Sequence, residues 1–101
     1  MEVTITEILD DLRSADEITR HYERRYWLSS ADFYAFYQQG LLDDGDHTED
    51  FAQWSAFYEI KLDREAALQT LSHVRAEQLR ATASGHAIDL DLHEPALPLA
   101  S

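Results

Sequence analysis

All eleven aromatic residues of this 101-residue chain fall between Tyr22 and Tyr58. They are Tyr22, Tyr26, Trp27, Phe33, Tyr34, Phe36, Tyr37, Phe51, Trp54, Phe57 and Tyr58. A packed aromatic side chain buries roughly 150–250 Å², so the densest core must be assembled from this stretch. An aromatic stripe at helical spacing reads first as core and only second as a ligand cage. Ordering the whole chain costs on the order of 100–200 kcal/mol, and a chain this short has one modest core with which to offset it.

The elements on either side of that block follow from periodicity. Ile5, Ile8, Leu9, Leu12, Ala15, Ile18, Tyr22 and Tyr26 recur at three- and four-residue steps, one stripe of an amphipathic helix. Thr4 followed by Glu7 fits a capping box, and Arg20, Arg24 and Arg25 suit the negative end of the helix dipole. This predicts a helix over residues 6–26. Ser29 and Ser30 offer the next cap, "ADFYAFYQQ" reads as a short helix, and Gly40 is placed to stop it in a left-handed conformation. "LLDDGDH" reads as a turn centred on Gly45. Thr48 is the expected cap of a long helix over residues 49–83, ended by Ser84 and Gly85. The aromatic block then spans the end of the first helix, all of the second and the start of the third, so these three ends are expected to converge.

The fold expected is all-α: two long antiparallel helices joined by a short helix, with an extended or strand-like C-terminal tail. Residues 1–85 form the helical domain and residues 86–101 the tail. At 1.5 Å per residue the first helix is about 32 Å long and the third about 52 Å. Laid antiparallel from a shared aromatic end, the third overhangs by roughly 20 Å. Leu71, Val74 and Leu79 fall toward that end, and an apolar stripe left bare there points to a second chain, in a homodimer or a heterocomplex. In the tail, Ile88, Leu90 and Leu92 alternate with Asp89 and Asp91 before Pro95 and Pro98. That period of two could pair with "EVTI" at the amino terminus, but a lone two-stranded ribbon is marginal in water. Ordering of the tail on a partner is the sharper expectation.

The formal charge of −12 is concentrated. Residues 1–12 carry −4, residues 41–50 carry −5 and residues 85–101 carry −3, while the rest nearly cancels. Such a field disfavours direct nucleic-acid binding and favours a basic partner; its bland counterpart is acidity that only keeps the chain in solution. "RHYERRYW" interleaves arginines with aromatics, but Asp16, Glu17 and Glu23 nearly neutralise it, and pairing with the acidic loop is the simpler role. Cysteine is absent, which removes disulfides and thiol chemistry. "MEVTITEILDDL" lacks the basic flank and apolar run of a secretory signal, and no run approaches the roughly 18 apolar residues of a membrane span. A cytoplasmic chain is expected.

Signals for catalysis are weak. None of His21, His47, His73, His86 and His93 forms HExxH, and no two stand four apart, the spacing of a helical metal pair. "DDGDHTED" fails the spacing of a calcium loop. The three glycines make no phosphate loop, and Ser29, Ser30 and Ser55 have no identifiable base or nucleophile elbow. No catalytic, metal or cofactor-binding residue is therefore assigned, and the chain is not expected to be an enzyme.

The stretch "ERRYWLSSADFYAFYQQGLLDDGDHTEDFAQWSAFYE" resembles a group of small acidic prokaryotic helical proteins encoded beside toxins. The residues that carry the likeness are Tyr26, Ser29, Ser30, Phe33, Tyr37, Gly40, Leu42, Asp50, Phe51, Trp54, Tyr58 and Glu59. The extension past Gly85 is longer than that group's pattern. The resemblance implies the antitoxin component of a toxin–antitoxin pair, which would cover the basic, RNA-facing site of a small ribonuclease-like toxin. Two other readings remain: an inhibitor that mimics nucleic acid, and a homodimeric structural module. The residues expected to meet a partner are Asp43, Asp44 and Asp46 in the loop, Leu71, Val74 and Leu79 on the long helix, and Ile88, Leu90 and Leu92 in the tail.

Overall fold

The computed structural model describes residues 2–42, 45–90, 92 and 96–98. Their elements are β1 (Glu2–Thr4), α1 (Ile5–Tyr26), α2 (Ser30–Gln38), α3 (Thr48–Ala83) and β2 (Ala96–Pro98). The protein is mostly helical, as its periodicity requires. At the start of α1 both halves of the capping box form: Thr4 Oγ1 accepts from the Glu7 N–H at 3.1 Å, and Glu7 Oε2 accepts from the Thr4 N–H at 3.2 Å. Ser29 caps α2 by accepting from the Asp32 N–H, and Gly40 (φ 71) turns the chain out of it. The expected cap at Thr48 does not form. Thr48 is already inside the helix, and His47 at the cap position makes no side-chain cap hydrogen bond. Ser84 (φ 50) and Gly85 (φ 86) end α3 in left-handed conformations.

Contacts between α1 and α3 step backwards along one helix as they step forwards along the other. Tyr26 reaches Asp50, Tyr22 reaches Gln53, Asp16 meets Lys61, Asp11 meets Arg64, and Ile8 packs with Ala67 and Leu71. The α1 seam is Ile5, Ile8, Leu12, Ala15, Thr19, Tyr22 and Tyr26, with steps of three and four alternating. That is the 3.5-residue repeat that keeps one helix facing another along its length.

The buried core lies in two pieces. At one end Tyr22, Phe33, Phe51 and Trp54 join α1, α2 and α3, and the rings of Phe33 and Trp54 stack at 3.8 Å. The three ends converge as the aromatic spacing predicts. At the other end Ile8, Ala67 and Leu71 are buried, with Val3, Ile5, Leu12, Leu68 and Val74 packed around them. Among the described residues Ala15, Thr19, Ser30 and Ser55 are the other buried ones, all of them small.

The bare stripe expected on the far part of α3 needs correction. Leu71 is 0% exposed and Val74 half-buried, both inside the protein's own second cluster. Leu71 meets Ile8, still within α1, and the three extended residues of β1 carry the chain about 10 Å further. Val3 lies in that strand and packs on the cluster. The strand-like period also sits elsewhere than expected. Residues 87–90 have no regular structure, and it is Ala96–Pro98 that pairs antiparallel with β1, matching Glu2 to Pro98, Val3 to Leu97 and Thr4 to Ala96. The ribbon is not a lone one, because Val3 ties it to the helices.

Candidate functional site

The end where α1 finishes and α3 begins is organised by a chain of polar contacts running into the aromatic core. Arg20 donates to Glu23 at 2.8 Å, Glu23 accepts from the Ser30 N–H at 2.8 Å, and Ser30 Oγ accepts from the Trp54 indole N–H at 2.8 Å. Every buried side-chain polar atom among the described residues has a partner. Burial opposes the ionisation of Glu23, but the bonds from Ser30 and the Arg20 charge outweigh it and hold its carboxyl below the ordinary range. Arg20 is pushed up in return, first by its hydrogen bond to Glu23.

Around this network side chains of α3 hold the tyrosines of α1 and α2. The Tyr26 hydroxyl donates to Asp50 at 2.6 Å, the Tyr22 hydroxyl donates to Gln53, and the Tyr34 hydroxyl donates to Glu59 at 2.7 Å. Burial, then the nearby Asp50, raises the pKa of both Tyr22 and Tyr26; the bond to Glu59 is the main cause for Tyr34. Arg25 pairs with Asp50, in the first turn of α3, at 3.4 Å, whereas Arg20 pairs within α1 with Asp16 and Glu23.

Two adjoining hollows open on this end. One is a cleft of about 180 Å³ lined by Tyr37, Gly40, Leu42, Thr48 and Phe51. The other, about 380 Å³, is lined by Arg25, by Asp46 in the turn and by Glu49 and Asp50 in the first turn of α3. Thr48 lines both. Phe36 and Leu41 stay exposed nearby in sequence, Leu41 donating its N–H to the Phe36 carbonyl.

The expected partner-binding residues are dispersed. Asp43 and Asp44 lie outside the described residues. Asp46 is exposed and lines the second hollow. Leu71 and Val74 belong to the core, as described above. Leu79 is half-buried and lines a third hollow with Thr82, Ala83, His86, Ala87 and Asp89. Ile88, Leu90 and Leu92 are exposed. Asp46 and Leu79 are therefore separated by most of α3, about 50 Å at 1.5 Å per residue, and do not form one surface.

Sequence reasoning assigned every aromatic to the core and so missed Trp27. It closes α1 in the left-handed conformation (φ 56) and is 89% exposed. The signal was available: the helix ends with no glycine or asparagine at the position that favours them. The apolar cleft beside Gly40 had no such signal, since it depends on how α2 leans on α3.

Among the described residues no group of three His, Asp or Glu is placed to hold a metal ion. No helix there is long and apolar enough to cross a membrane. No protein family, curated protein or solved structure matches the chain.

Proposed function

We propose that the chain is a non-catalytic, cytoplasmic protein-binding subunit that neutralises a basic protein by covering its positive face, as an antitoxin covers a toxin. The scaffold of this reading is a hairpin of two long antiparallel helices clamped at one end by the aromatic residues. The supporting observation is where the cations go. Arg13, Arg20, Arg25, Lys61, Arg64 and Arg80 are held in ion pairs within the chain. Those pairs are largely exposed and contribute about 0–1 kcal/mol each, and over the whole chain Asp and Glu outnumber Lys and Arg by twelve. A surface of one sign steers an oppositely charged protein and speeds encounter more than it adds affinity.

Co-expression with the product of the adjacent gene tests the proposal. Relief of that product's toxicity and a complex whose association rate falls steeply with salt are expected. If the two proteins neither associate nor show rescue, the proposal fails.

A further inference from the structure

We infer that the cleft between α2 and α3, together with its acidic shoulder, is a docking site for a short partner segment carrying an apolar side chain beside lysine or arginine. The inference rests on the reading of the chain as a binder of basic proteins, and it names the place and the anchor.

Three features meet at Thr48. The cleft on one side is lined by Tyr37, Leu42 and Phe51, and its volume of about 180 Å³ suits one side chain of leucine or phenylalanine size. Its rim is open at Gly40, where a Cβ would meet nothing within 4 Å. The hollow on the other side is bordered by Glu49 and Asp50. Asp50 is committed to Arg25 and Tyr26, whereas Glu49 is exposed and makes no ion pair with another described residue. An apolar side chain seated in the cleft would hold a neighbouring cation over that shoulder. Apolar burial then supplies affinity and charge supplies orientation. A second copy of this chain is the poorer occupant, because each copy would bring its own 41–50 segment of charge −5 to the contact.

The test uses the full chain, labelled with ¹⁵N, titrated with three synthetic peptides: KKLFKK, hexalysine and SSLFSS. Shifts centred on Gly40, Leu42 and Thr48, with KKLFKK binding at least tenfold more tightly than either control, are expected. Thr48 is exposed and caps nothing, so Thr48→Arg should erase that preference while leaving the buried Trp54 indole resonance in place. Glu49→Lys, also on the surface, should weaken KKLFKK and leave SSLFSS unchanged. Equal binding of KKLFKK and hexalysine, with shifts spread over both chain ends, overturns the cleft but leaves the preference for basic partners standing. Equal binding of KKLFKK and SSLFSS overturns the acidic shoulder. If no basic peptide shifts any resonance, the reading of the chain as a binder of basic proteins falls with it.

Discussion

Trp27 and Ser30 show how much single positions decide at the aromatic end. A non-glycine residue in the left-handed region carries about 1–2 kcal/mol that glycine avoids; glycine's larger freedom in the unfolded chain offsets part of that difference. With 89% of Trp27 exposed, its indole returns little by packing. Trp27→Gly is therefore expected to stabilise the fold by about 0.5–1 kcal/mol, raising Tm by several degrees, in thermal unfolding followed through Trp54. A lower Tm would mean that contacts of the indole outweigh the backbone strain. Ser30→Ala acts in the opposite direction. It leaves the buried Trp54 N–H without an acceptor, a loss of about 1–3 kcal/mol to be read from urea midpoints. Glu23 adds a pH signature. A carboxyl whose folded pKa is depressed contributes stability above its unfolded value, here 4.5, and that contribution is lost as pH falls through the folded value. Urea midpoints should drop on acidification below about pH 4.5, and Glu23→Gln should flatten part of that slope. Much of this end was legible in the residues. Thr4, Glu7 and Ser29 cap as their types and spacing dictate, because a cap is a local contact over three residues. Thr19 was not legible: the spacing pointed to Ile18 as the buried neighbour, yet Thr19 is fully buried. Its hydroxyl bonds to the Asp16 carbonyl, which satisfies the polar atom and lets a small residue take the seam.

The two clusters, taken as elements, should respond separately. Leu71 lies in the half of α3 that meets Ile8, 17 residues from Trp54 in the aromatic cluster. Leu71→Ala is expected to cost about 2–5 kcal/mol. Its amide exchange should quicken first in β1, the opening turns of α1 and residues 67–74, while the amides around Trp54 keep more of their protection. Truncation after Gly85 removes β2 and should produce a milder form of the same pattern. Uniform acceleration along both helices would show instead that the two clusters unfold as one unit. The ribbon is also where helix counting failed. Rise per residue gives each helix its length, but it does not say which non-helical residues continue beyond the end and cover a neighbour.

At the scale of the molecule, shape and charge point the same way. The chain measures 59 × 23 × 23 Å with a radius of gyration of 18.1 Å, against about 13 Å for a compact domain of this length. Its accessible surface of 7231 Å² exceeds the roughly 5,800 Å² expected for a folded monomer of this mass. The excess, about 1,400 Å², is nearly twice the roughly 800 Å² that one partner contributes to a standard interface. Net repulsion among the carboxylates opposes the folded state, whereas the internal ion pairs are mostly exposed and weak. Raising the salt concentration severalfold is therefore expected to increase the urea midpoint; a decrease would place the ion pairs above the repulsion.

By itself, the sequence determined that the chain is helical, where its helices begin and end to within a residue, that the aromatic residues gather three helix ends, and that the charge is acidic. These follow from periodicity, capping chemistry and composition, which act over a few residues or over the whole chain without regard to contacts. The tertiary structure decided which of the apolar residues are used up inside. Leu71 and Val74 went to the core because Ile8 of α1 and Val3 of β1 belong to the same cluster. The cleft at Gly40 exists only because α2 leans on α3. Such outcomes depend on residues distant in sequence meeting in space, and no local pattern records them.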